Sequence, residues 1–228
     1  MPATLPVDIE YNSGAANRRP IRARSLALVQ RLSVLLVERG LTPNQISMGS
    51  VIFAGLSGLS LLAVPAVHGL AQAMAFALAA FLMQMRLLCN LLDGMMAIEG
   101  GLRTQSGDVF NEFPDRIADS ILLVGAGYAS QWASIGWQLG WSAALLACMT
   151  AYIRTFAYAK GLGQDFSGPM AKQQRVFVLT LACLLAPIES FLFKSNCSML
   201  AALIIINTGA VVTCVRRTRR LVHGLQNK

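Results

Sequence analysis

The chain has 228 residues, of which 55% are hydrophobic and only 13% charged, with a mean hydropathy of +0.54. An average soluble domain carries about 25% charged residues, so this is the composition of one integral membrane domain. The net charge of +8 gathers at the flanks of apolar runs, which fits an anionic leaflet and argues against a nucleic-acid partner.

Residues 1–20 are polar and aperiodic and read as a flexible arm, with no apolar core near Met1 and hence no cleavable signal peptide. Residues 21–40 alternate basic and apolar. Ile21, Leu26, Leu28, Val29, Leu32, Leu35 and Leu36 fall mostly on one broad helical face, and the arginines on the other. That pattern predicts an amphipathic helix lying in the membrane interface. Thr42 then caps the next helix, with Pro43 at its first position.

Six apolar spans of about 20 residues follow, each enough to cross the hydrocarbon core. They are placed near 44–66, 71–98, 108–130, 136–160, 172–193 and 197–215. Gly55 and Gly58 in the first span predict close helix approach. The fold class expected is therefore an all-α integral membrane protein with six spans after an interfacial helix. The six-span domain covers 41–216, and 217–228 reads as a basic tail. Cys89, Cys148, Cys183, Cys197 and Cys214 all sit in apolar stretches without a paired spacing. They read as small packing residues, not as a disulfide framework.

Charge sets the expected topology. Arg18, Arg19, Arg22, Arg24, Arg31 and Arg39 precede the first span, and Arg216, Arg217, Arg219 and Arg220 follow the last. Lys160 to Arg175 and the 99–107 loop add further positive charge, whereas the loops near 66–70 and 131–136 have none and 194–196 has only Lys194. By the positive-inside rule both termini face the cytosol, in the cell's inner membrane.

One polar string stands inside this apolar chain. Asn90, Asp93, Gly94 and Ala97 share one side of the second span, and Gly107, Asn111 and Asp115 one side of the third. A short loop joins the two spans, which predicts antiparallel neighbours with facing polar sides at the cytosolic surface. Side-chain oxygens from two such helices could hold a hard divalent cation, Mg²⁺ or Mn²⁺. Gly94 and Ala97 leave room for close approach.

At these residues the chain resembles the CDP-alcohol phosphotransferase family, whose signature is D-x2-D-G-x2-A-R-x8-G-x3-D-x3-D. Asp93, Gly94, Ala97, Gly107 and Asp115 match it without gaps. Asn90 and Asn111 stand at the first and third aspartate positions, and Ile98 at the arginine. Thr42, Pro43 and Asn44 also resemble the family's entry to its first span. The resemblance implies transfer of a phosphate-linked group from a CDP-activated donor to an alcohol, with release of CMP. It implies Asp115 as the base, and Asp93, Asn90, Asn111 and Asp115 as ligands of Mg²⁺ or Mn²⁺. Gly94, Ala97 and Gly107 would line the nucleotide site. It also implies a homodimer.

The two asparagines lower the charge of the ligand set, which favours one metal ion over two. Arg86 lies one turn before Asn90. It either adds positive charge to the site or pairs with a carboxylate such as Asp119. Asp115 and Asp119 form a second D-x3-D pair, one turn on from the ungapped register. Glu112 and Arg116 either orient the ligands or form a salt bridge, and Glu99 reads as a loop charge.

Apolar spans around a cytosolic site suit CDP-diacylglycerol as donor, with its acyl chains among the membrane lipids. Arg154, Lys172 and Arg175 flank a loop containing Gly161, Gly163, Gly168 and Pro169. These cations would bind a small, phosphorylated alcohol acceptor. The alternatives are a CDP-aminoalcohol phosphotransferase acting on diacylglycerol, and a non-catalytic CDP-lipid-binding protein.

Overall fold

The computed structural model describes residues 27–98, 100–102, 104, 106–131, 133–193 and 197–227, and among these it has seven α-helices. The arm of 1–20, Arg18, Arg19, Arg22, Arg24, Glu99 and Lys194 lie outside the described residues. The helices are α1 (Ala27–Glu38), α2 (Pro43–Ala63), α3 (Leu70–Ile98), α4 (Gly107–Ala129), α5 (Ala133–Ala159), α6 (Lys172–Phe193) and α7 (Ser198–Gln226). A short 3-10 turn, Val64–Ala66, links α2 to α3.

Local chemistry sets several of these boundaries. Thr42 Oγ1 accepts from Gln45 N at 3.3 Å, and Gln45 Oε1 accepts from Thr42 N at 2.9 Å. This reciprocal capping box, with Pro43 at the first position, starts α2 as the sequence predicts. Pro114 lies inside α4, one residue before Asp115. It deprives that turn of one backbone hydrogen bond beside the polar string.

α2, α3, α6 and α7 are long and apolar enough to cross a membrane. The chain is a membrane protein. α4 and α5 are as long but more polar: α4 contains Glu112, Asp115, Arg116 and Asp119, and α5 contains Gln138, Ser142, Thr150 and Arg154.

The helices close into a ring. α2 packs on α3, α3 on α6, α6 on α7, α7 on α5, α5 on α4, and α4 back on α2. Leu61, Phe76, Met83, Leu122, Leu179, Leu203 and Ile206 meet in its core. α1 is pinned to α3 by Val29, against Leu91, Leu92 and Met95. The outer faces carry Ile52, Leu70, Leu145, Phe177 and Phe191, all largely exposed.

Three expectations change at this level. α3 and α4 are not close-packed neighbours among the described residues, because α2 packs on both and long polar side chains bridge them. Gly55 faces open space, whereas Gly58 is the true contact: a Cβ there would lie 2.4 Å from Ile121 Cγ2 on α4. α7 also continues to Gln226, so Arg217 is not part of a tail. The stripe Leu203, Ile206, Ala210, Thr213 and Arg217 keeps helical spacing and stays buried throughout. Cys183 is buried and Cys197 exposed, and all five cysteines are free thiols.

The glycine contrast gives a direct test of packing. Gly58→Ala should destabilise the protein by about 1–3 kcal/mol, the usual cost of forcing volume into a packed interface. Gly55→Ala should be neutral or slightly stabilising. Thermal unfolding in detergent reads both, and equal melting shifts for the two variants would contradict the assigned contact.

Candidate active site

The polar string converges where α3, α4 and α6 meet. Asn90 Nδ2 donates to Asp115 Oδ1 at 3.1 Å, which joins α3 to α4. Lys172 Nζ, at the start of α6, donates to the same Asp115 oxygen. Arg86 Nη2 stands 3.5 Å from that oxygen. One carboxylate oxygen thus faces an amide, an ammonium and a guanidinium.

Asp93 is one turn along α3 and takes a different partner. Ser47 Oγ on α2 donates to Asp93 Oδ2 at 2.5 Å. Asp93 also lies within electrostatic reach of Asp115 and Lys172.

Asp119 sits one turn past Asp115 and is 4% exposed. Arg86 Nη2 donates to its Oδ1 at 2.7 Å, and Arg175 Nη2 to its Oδ2 at 2.6 Å. Both oxygens are occupied by arginines. The alternative in which Arg86 pairs with Asp119 is the one observed. The shifted Asp115/Asp119 register would ask a fully paired carboxylate to bind something else as well.

A cavity of about 640 Å³ opens beside this network. Asn90, Asn111, Asp115, Arg154, Lys172 and Arg175 all line it. The structure therefore gathers six of the sequence-predicted residues from four helices. Asp93, Gly94, Ala97 and Gly107 lie outside that lining. Gly94 and Ala97 are half-buried on α3, and Gly107 opens α4. A Cβ on Gly94 would meet nothing within 4 Å, so the space above it is open.

The basic side of the cavity is partly committed. Arg154 pairs with Glu112 and lies over the Phe166 ring, 5.2 Å from its centroid. Glu112 also accepts from Arg116 at 3.0 Å, the i,i+4 bridge that the sequence offers as one reading. Arg175 Nη1 donates to Met170 O at 2.9 Å, so this arginine holds the start of α6 as well as Asp119.

Arg217, Thr150, Phe166 and Ser47 were not among the expected site residues. Arg217 Nη1 donates to Thr150 O at 2.6 Å, and its Nε to Ser167 O at 2.9 Å. It clamps the 160–171 loop between α5 and α7. Its signal in the sequence is the helical spacing from Ala210 and Thr213, which its charge obscures.

The loop has its own acid-sensitive anchor. Burial raises the pKa of Asp165, but hydrogen bonds from Ser167 and the charges of Arg220 and Arg217 outweigh that and hold it below the usual carboxylate value. A depressed folded value means stabilisation present above about pH 4, the unfolded range, and lost as pH falls through the folded value. Hydrogen-exchange protection across 161–169, measured relative to the intrinsic rate at each pH, should therefore fall on acidification below that range. The acid-induced change should be smaller in Asp165→Asn, and an identical profile would remove the assignment.

The donor chemistry can be tested against a divalent ion. Asp93 and Asp115 supply carboxylates, and Asn90 and Asn111 supply amide oxygens, all hard ligands. Among the described residues no group of three or more His, Cys, Asp or Glu side chains converges as a cage. Asp119 is removed from the set by its two arginines. What remains fits one hard cation completed by amide, ligand or water oxygens.

No protein-family model matches the chain, and a search of curated proteins finds none similar. Solved structures do match. One is the Mycobacterium tuberculosis phosphatidylinositol phosphate synthase PgsA1 with CDP-DAG bound, with TM-score 0.70 and 20% identity over 86% of this chain and 94% of that one. The same enzyme in complex with manganese and citrate gives TM-score 0.68 and 21% identity over 85% and 88%. Its apo form gives TM-score 0.64 and 20% identity over 86% and 95%. The likeness runs through nearly the whole of both chains and establishes a shared fold.

Proposed function

We propose that the chain is a phosphatidyltransferase of the CDP-alcohol phosphotransferase family, moving a phosphatidyl group from CDP-diacylglycerol to a small phosphorylated alcohol and releasing CMP. One observation carries this reading. One cavity is lined by a polar set, Asn90, Asn111 and Asp115, and a cationic set, Arg154, Lys172 and Arg175, which meet where Lys172 touches Asp115. It occurs in a fold shared with PgsA1, which has been solved with CDP-DAG bound.

In this reading, the donor's diphosphate enters the cavity that both sets line. Asp93 and Asp115, with Asn90 and Asn111, would hold a Mg²⁺ or Mn²⁺ ion. When bound, that ion supplies charge neutralisation for the diphosphate. Lys172 adds a second positive charge beside Asp115. Gly94, Ala97 and Gly107 leave space for the nucleotide, and the acyl chains lie in lipid. Arg154, Lys172 and Arg175 hold the acceptor's phosphate. The acceptor oxygen attacks the β-phosphorus in line, Asp115 takes its proton, and the bond to the CMP oxygen breaks. Positioning and fixed charge provide most of the acceleration.

The membrane arrangement belongs to the same proposal. α4 and α5 complete six spans, with α1 in the interface, the site and both termini cytosolic, in the cell's inner membrane. The outward stripe Trp137, Trp141, Leu145 and Met149 on α5 supports lipid contact for that helix. So do Phe113 and Ile117 on α4. The domain spans 41–216, and the working unit is a homodimer.

The test is CMP release from CDP-diacylglycerol by purified protein, with Mg²⁺ or Mn²⁺ and a panel of plain and phosphorylated alcohols. CMP release should require a phosphorylated acceptor, stop on chelation, and return with Mn²⁺. Turnover with diacylglycerol and a CDP-aminoalcohol instead would reverse the direction of transfer. A second reading has a specific observation behind it: Asn90 and Asn111 carry no charge, and Lys172 already engages Asp115. CDP-lipid binding without CMP release from any acceptor would select that non-catalytic reading.

Gly94 offers a narrower probe. Gly94→Ala should leave melting unchanged, since its Cβ meets nothing within 4 Å. It should weaken CDP-diacylglycerol binding about ten-fold if the nucleotide occupies that space, a scale set by about 1.4 kcal/mol of lost contact or new overlap. Unchanged affinity would take Gly94 out of the nucleotide site.

A further inference from the structure

We infer that Lys172 is a tethered counter-ion that shares Asp115 with the metal, and that the site consequently loads one divalent cation and not two. This rests on the metal-assisted reading above and adds to it a stoichiometry and a residue role.

The charges balance in a buried place. Asp93, Asp115 and Asp119 bring three negative charges, and Arg86, Lys172 and Arg175 three positive ones. The cluster is neutral before any ligand arrives. One divalent cation together with one diphosphate diester, which carries two negative charges, leaves it neutral again. Before the acceptor enters, a second divalent cation would leave two uncompensated positive charges. Most of the cluster is out of water: Arg86 is 0% exposed, Arg175 3% and Asp119 4%. Uncompensated charge is expensive there.

Geometry points the same way. Asp119 has no oxygen left, since Arg86 and Arg175 hold one each. Asp115 Oδ1 is shared by Asn90, Lys172 and Arg86. Asp93 is in no ion pair within 4 Å among the described residues, and the neutral Ser47 hydroxyl donates to it. Two carboxylates are thus available to metal, and one of them must be shared with an ammonium. Lys172 also lines the cavity, where its charge reaches an incoming diphosphate.

The experiment is an Mn²⁺ titration of the full chain in detergent with saturating CDP-diacylglycerol and no acceptor, following free Mn²⁺ by electron paramagnetic resonance. The wild type should bind one Mn²⁺ per chain, and Asp93→Asn should abolish that binding. Lys172→Gln should bind the ion about ten-fold more tightly, the scale of one charge-assisted contact released from Asp115. Lys172→Arg, which keeps the charge, should match the wild type and guards against a misfolded glutamine variant. Two ions per wild-type chain would overturn the inference, as would unchanged or weaker affinity in a normally melting Lys172→Gln protein. Mn²⁺ binding that survives Asp93→Asn would overturn it too. CMP release is measured in parallel. One bound ion without turnover sinks the proposed activity and leaves the stoichiometry standing; turnover with two bound ions does the reverse.

Discussion

Asp115→Asn is expected to reduce CMP release by about 10³-fold or more while leaving a folded protein. The substitution keeps the side chain's size and removes only its charge and basicity. In the proposed chemistry Asp115 has two duties, accepting the acceptor's proton and binding metal. Proton transfer by a positioned side chain contributes about 10² to 10⁴-fold alone, so losing both roles should approach the upper end. Asp115 is well placed for this: among the described residues it is the only aspartate lining the cavity, and Asn90 and Lys172 orient it. The fold should tolerate the change because Lys172 is only half-buried and borders the cavity. CMP release measured beside thermal melting separates the two effects. Activity within about ten-fold of wild type would remove the base assignment, on the same scale.

Asp119→Ala should do the opposite and act mainly on stability. Asp119 accepts from Arg86 at 2.7 Å and from Arg175 at 2.6 Å. Its removal strands two guanidinium groups in the ring's interior. Breaking a buried ion pair from one side costs about 3–5 kcal/mol, because the remaining charge has no partner. Arg86→Met should be milder. Nε and Nη1 of Arg86 already lack hydrogen-bond partners, and Asp119 keeps Arg175. The expected order is therefore Asp119→Ala well below Arg86→Met in melting temperature. The reverse order would mean that Arg86, not the carboxylate, is the centre of the network.

The comparison explains what a linear reading could and could not reach. Local chemistry was legible. The Thr42–Gln45 box and Pro43 needed only neighbouring residues, and each long apolar run became a helix close to its predicted limits except the last, which continues past 215 to Gln226. The contact of Asn90 with Asp115 was legible too, because a short loop and helical spacing bring their turns together. The pair of Arg86 with Asp119 was open to the sequence as one of two readings, but its second arginine, Arg175, was not. Arg86, Asp119 and Arg175 come from α3, α4 and α6, and no spacing rule links three separate helices. The engagement of Asp115 by Lys172 was hidden for the same reason. Arg217 failed differently. Its neighbours are basic, so it looked like leaflet charge, although its spacing from Thr213 continued the buried stripe. Direct packing of α3 on α4 was expected from loop length alone, which takes no account of the width of the side chains between them.

The clasp of Arg217 on the 160–171 loop has a consequence for biogenesis. The residues proposed to hold the metal lie on α3 and α4, which precede the loop in the order of synthesis. The loop leading into Lys172 and Arg175 is held by Arg217 on α7, the last helix in that order. Chains assemble broadly from the N-terminal side during synthesis. A nascent chain would thus complete the polar set while the cationic set was still unfastened. Both sets come into register only when α7 docks, so premature chemistry on a half-inserted chain is disfavoured by the order of construction itself.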